Sequence, residues 1–229
     1  MSKIKMNEED SFNIDKRNPY NLCIWKDVFE CEDCSIKGEL QCHEDKIYSI
    51  WFGTSWLFSF IPTLLGIILG YSSGSLNLLF FIIALGGWIV YIAIFFILWE
   101  PRILCSHCPY YAEGDTKILH CYANHGFPKT SSFNPAPLTR LEKIQFIAGL
   151  IIFVGYPIPF IIIGRQYFLL GISLIGIISW FLVLQLKICP DCVNFSCPLN
   201  RVSKNIVDIF LKRNPVMKEA WGKSRYKLK

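Results

Sequence analysis

Long apolar runs alternate along this chain with short polar segments. Four runs stand out, Ile47 to Gly70, Leu78 to Trp99, Ile144 to Gly164 and Tyr167 to Leu186, and none contains Asp, Glu, Lys or Arg. Each is about as long as the roughly 20 residues that a bilayer-spanning helix needs, and a charge placed in lipid is costly. The pattern therefore predicts four transmembrane helices. A soluble helical core is the competing reading, but it would show shorter runs interrupted by charges. The first 46 residues carry no apolar core of the signal-peptide type, so the first run is expected to stay in the mature protein.

The polar breaks between runs set the organisation. The turn Tyr71–Asn77 is short, so the first two helices are expected as antiparallel neighbours, and Gly164-Arg165-Gln166 joins the last two in the same way. The segments read as a flexible tail (1–20), a cysteine-rich module (21–46), a first hairpin (47–99), a Cys/His-rich loop (100–143), a second hairpin (144–186) and a basic cysteine-rich tail (187–229). Thr139 and Glu142 have the capping-box spacing that starts the third helix. Pro157 and Pro159, with Gly155 nearby, predict a kink in it. Gly66 and Gly70 are spaced to let helices approach closely. No His, Asp, Glu, Lys or Arg falls within the four runs, which argues against a proton-relay transporter and against a haem held between helices by histidines.

Charge supplies the orientation. The net charge is +5, and of the 23 Lys and Arg residues only Arg165 lies in the two short turns. Segments rich in Lys and Arg near span ends stay in the cytoplasm. Both termini and the central loop are therefore expected on the cytoplasmic side of a multi-pass protein of the cell membrane. In the tail, Val202, Ile206, Ile209 and Phe210 recur at helical spacing. Two placements fit: a helix on the inner leaflet, with basic side chains attracting anionic lipid, or a helix packed on the cysteine modules. No aromatic platform accompanies the basic residues, so nucleic acid is not an expected partner.

All ten cysteines and all four histidines lie outside the apolar runs. An even number of crossings separates the three segments that carry them, so they share one compartment. A reducing cytoplasm favours metal ligation or reactive thiols over disulfides. Cys23, Cys31, Cys34 and Cys42 form one set, in which Cys31-x-x-Cys34 binds from a tight turn, the outer pair closes a tetrahedron and His43 offers a substitute ligand. A second set is split. Cys105-x-x-Cys108 follows the second span and Cys189-x-x-Cys192 the fourth, so both knuckles emerge at the same depth and predict a four-thiolate site. Cys121 and Cys197 are further ligands, or partners of His120 or His125. His107 and His125 are expected as hydrogen-bonded surface residues. Zinc is the expected ion, an iron–sulfur cluster is the alternative, and thiol–disulfide exchange is a third reading. No G-x-S-x-G elbow, H-E-x-x-H helix or Walker loop supports a hydrolase.

The strings DVFECEDC, WEPRILCSHCPYYAEGDTKILHC, ANHGFPK, CVNFSCPLNRV and FLKRNPVMKEAW resemble a family of polytopic membrane proteins with cytosolic cysteine motifs. The resemblance runs from about Cys23 onward and implies no activity. The expected fold is thus an all-α integral membrane protein with four transmembrane helices in two hairpins and small cysteine-rich metal-binding modules on the cytosolic face. The expected role is a metal-stapled platform that docks a protein partner or senses metal, without catalysis. The rivals are an iron–sulfur electron-transfer subunit and a membrane thiol–disulfide oxidoreductase.

Overall fold

The computed structural model describes residues 16–26, 31–43, 46–121 and 123–228. The expected flexible tail over 1–20 falls mostly outside these. The part that is described, from Lys16 on, is docked: Arg17 pairs with Glu113 at 3.0 Å and Tyr20 packs edge-on against Phe133.

Four helices are long and apolar enough to cross a membrane: α1 (Lys46–Ser72), α2 (Leu78–His107), α3 (Arg140–Ile163) and α4 (Tyr167–Ile188). Two short helices follow, α5 (Lys204–Arg213) and α6 (Pro215–Lys223). Among the described residues there is no strand, only a single bridge between Ile118 and Pro128. The spans carry large apolar side chains outward, including Leu79, Val90, Ile151, Phe168 and Ile175. That surface suits hydrocarbon, where helices satisfy their own backbone and apolar exposure costs nothing.

Inside, aromatic rings pack on one another among aliphatic side chains. Phe60 stacks on Trp88, and Phe153 contacts Trp88, Phe96 and Trp180. Hydrogen bonds cross between α2 and α3. The Trp88 indole donates to the Phe153 carbonyl (3.0 Å), and the hydroxyls of Tyr91 and Tyr156 donate to the carbonyls of Gly149 (2.8 Å) and Ile83 (2.7 Å). Each gives a polar side chain an acceptor where water is excluded.

The small residues decide which helices touch. α1 packs most extensively on α4, not on α2, which follows it in the chain. A Cβ on Gly176 of α4 would stand 2.7 Å from the Phe58 carbonyl oxygen of α1. Gly70 of α1 meets Gly164 at the far turn, and Gly66 faces Ile161, as their spacing predicts. The capping box is present, with the Glu142 amide donating to Thr139 Oγ1 and the Thr139 amide to Glu142 Oε2. α3 breaks at Tyr156–Pro157 and resumes at Ile158, where the proline predicts it.

One feature departs from the sequence reading, and another decides a choice it left open. The second helix does not stop at Trp99. It widens into a π-helical turn over Phe95–Trp99, restarts with Pro101 in its first turn and runs on to His107. Proline has no N–H to lose at a helix start, so it continues the rod instead of ending it. Glu100, placed by the sequence reading in a loop, therefore sits on the helix. The choice left open concerned α5, which turns Val207, Phe210 and Leu211 inward. They join Leu22, Ile24, Tyr110, Tyr111 and Val193 in one core at the cysteine-bearing end of the bundle. Of the two placements open for the tail, packing on the cysteine segments is the one found. Its apolar face is covered by protein.

Candidate functional site

The ends of the spans opposite the Gly70–Gly164 contact receive all three cysteine-bearing segments. Backbone and side-chain bonds tie them together: the Gln41 amide donates to the Asp191 carbonyl (2.7 Å), the Trp25 indole to the Pro109 carbonyl (3.0 Å) and the Tyr110 hydroxyl to the Gln41 carbonyl (2.9 Å). None of the ten cysteines is in a disulfide.

Two groupings result. In the first, Cys23, Cys31, Cys34 and Cys42 lie near enough to influence one another's charge. His43 Nε2 stands 3.7 Å from Cys31 Sγ, where a substitute ligand would stand. The second gathers Cys105, Cys108 and Cys121 with Cys189, Cys192 and Cys197 around one chamber of about 140 Å³. The expected four, Cys105, Cys108, Cys189 and Cys192, are all present, and Cys121 and Cys197 belong to the same wall. The other three histidines bond elsewhere. Buried His107 donates from Nδ1 to the Ala136 carbonyl (2.5 Å) and faces Glu142 at 3.5 Å, so it is hydrogen-bonded as expected but not on the surface. His120 pairs with buried Glu113 at 2.6 Å, beside the His125 ring.

The expected metal-binding modules are not shown by the placement of these side chains. Among the described residues no three His, Cys, Asp or Glu side chains form a group that could hold one metal ion. The sulfurs ring a chamber instead of meeting at a point. Neutral thiols have no mutual attraction to draw them together, and Leu119, Val193 and Ile188 line the chamber with them.

Amide donors are aimed at the sulfurs. Asn214 Nδ2 donates to Cys23 (3.2 Å), Asn124 Nδ2 to Cys105 (3.3 Å) and the Asn124 backbone to Cys121 (3.3 Å). Donors of this kind favour charge on sulfur. Burial outweighs them. It pushes Cys42 up to about 12, Cys121 up to about 11 and Cys189 up to about 12, and holds Cys108 and Cys197 well above the ordinary thiol range. Neighbouring thiols add to the rise, with Cys192 acting on Cys108, Cys189 and Cys197.

The sequence reading missed three residues here. Asn214, fully buried, accepts from the Cys23 amide at Oδ1 (2.8 Å) and donates to the Phe210 carbonyl (2.7 Å) as well as to Cys23. Arg213 beside it partly offsets the burial of Cys23 and Cys42. Glu100 lines the six-cysteine chamber. The first two sat in the FLKRNP string with no chemistry of their own to flag them, and Glu100 was hidden by ending the helix at Trp99.

No protein-family model, no curated protein and no solved structure matches this chain.

Proposed function

We propose that this multi-pass membrane protein carries a cytosolic thiol platform that takes up soft metal ions, zinc foremost, and so docks a partner or reports metal. The observation that carries this reading is the meeting of six cysteines from two distant segments around one chamber. Thiolate is the ligand form of cysteine. These thiols are aimed at by amide donors yet kept neutral by burial, so a bound cation supplies what the chamber lacks. Uptake then draws sulfurs together and releases protons, which couples ion binding to the packing of all three segments. The Lys and Arg distribution supports the cytosolic side and cytosolic termini of a cell-membrane protein. Basic side chains left outside the α5 core, such as Arg213 and Lys218, favour anionic lipid.

The same raised thiols weigh against disulfide exchange, which needs a readily formed thiolate at its attacking cysteine. Anaerobic purification in detergent followed by elemental analysis tests the proposal. At least one zinc per chain is expected, lost when Cys108 and Cys192 are both replaced by serine. Fewer than one ion per chain rejects it, and iron with visible absorbance that bleaches on reduction replaces it with the iron–sulfur reading.

A further inference from the structure

The membrane-side half of the six-cysteine chamber has features that metal ligation does not use. Two of its lining residues, Glu100 at 8 % exposure and Trp180 at 4 %, each hold a buried polar atom without a hydrogen-bond partner: Glu100 Oε2 and Trp180 Nε1. One is a carboxyl oxygen and the other a donor. A buried unpaired polar group costs on the order of 1–3 kcal/mol, so two in one chamber are not accounted for by packing. Glu100 keeps one bond, to Asn124, which ties it to Cys105.

The chamber adjoins a second cavity of about 450 Å³ between α1 and α2. Phe52, Phe96 and Trp180 line both. The outer cavity is walled by Ile89, Ala93 and Ile97, which are exposed on the lipid-facing surface of α2. The two cavities thus share a wall, which Ala123 and Asn124 complete, and the outer one reaches side chains exposed on α2.

We propose that the chamber and this outer cavity bind a lipid-soluble quinone, with its ring in the chamber and its tail in the α1–α2 groove. Three observations select that chemistry. The chamber, at about 140 Å³, is close to the roughly 150 Å³ apolar cavity that accommodates one benzene-sized ring. Its lining contains Glu100 and no Lys, Arg or His, so it does not suit carboxylate or phosphate head groups. Of the two oxygens of such a ring, one accepts from Trp180 Nε1 and the other from the Glu100 carboxyl in its protonated form. The ring shares its chamber with the six thiols, but Glu100, Trp180 and the groove hold it, so quinone binding by ion-free protein is read separately from metal content.

The full chain in lipid nanodiscs, titrated with a decyl-tailed benzoquinone while tryptophan fluorescence is followed, tests this. Saturable quenching at one quinone per chain is expected, with most of the saturable part lost in Trp180→Phe. Glu100→Met weakens binding about tenfold. Ala93→Phe fills the lipid-facing groove without entering the core and weakens it at least as much. Quenching that rises linearly in all variants is simple partitioning into lipid and overturns the proposal. So does equal displacement by decanoate, which would assign the chamber to fatty acids.

Discussion

Single residues show how an apparently unremarkable polar group sets the site. Asn214 spends its whole amide on Cys23 and Phe210, so α5, α6 and the first cysteine set share one anchor. Asn214→Ala leaves the Cys23 amide and the Phe210 carbonyl buried and unpaired. The expected loss is about 3 kcal/mol in denaturant unfolding, with faster maleimide labelling of Cys23. The thiols set a pH dependence of definite sign. Cys42 and Cys189 rise from 9.0 to about 12 on folding. The folded state favours their neutral form, so their contribution is full below pH 9 and is lost as pH climbs from 9 towards 12. Ion-free protein is therefore expected to lose thermal stability across that window, by up to about 1.4 kcal/mol per pH unit for each such thiol. Ion-loaded protein, already deprotonated, is expected to lose much less. Melting curves with and without chelator check both.

At the scale of elements, glycine placement outranks chain order. α1 and α4 are far apart in sequence yet form the most extensive helix pair, because Gly176 admits the backbone at Phe58 and Ser59. Gly176→Ala forces these helices apart and is expected to cost about 1–3 kcal/mol. Gly171→Ala, on the same helix with open space around its Cβ, is expected to be neutral or slightly stabilising. Unfolding of the two variants in mixed detergent micelles makes the comparison. The capping box and the proline break were legible because each is a local signal: hydroxyl and carboxylate three residues apart, and a missing N–H. The extension of α2 through Glu100 was not legible. A charge and a proline together read as a stop, and only the π-helical turn before them carries the helix on.

For the whole molecule, topology rests on charge and is open to a direct measurement. A reporter inserted in the Tyr71–Asn77 turn is expected on the non-cytoplasmic side, while one at the C-terminus is expected in the cytoplasm. A cytoplasmic signal from the turn would place the cysteines in an oxidising space and favour disulfides over metal. The sequence by itself determined the four apolar spans, the even number of crossings between cysteine segments and hence their common end, because these depend only on composition along the chain. The tertiary structure alone decided that six thiols share one chamber, that α5 lies against protein, and that Glu100 and Trp180 line that same chamber. Those facts depend on which helices the glycines let touch, and close approach is a property of paired surfaces that no single stretch of residues carries.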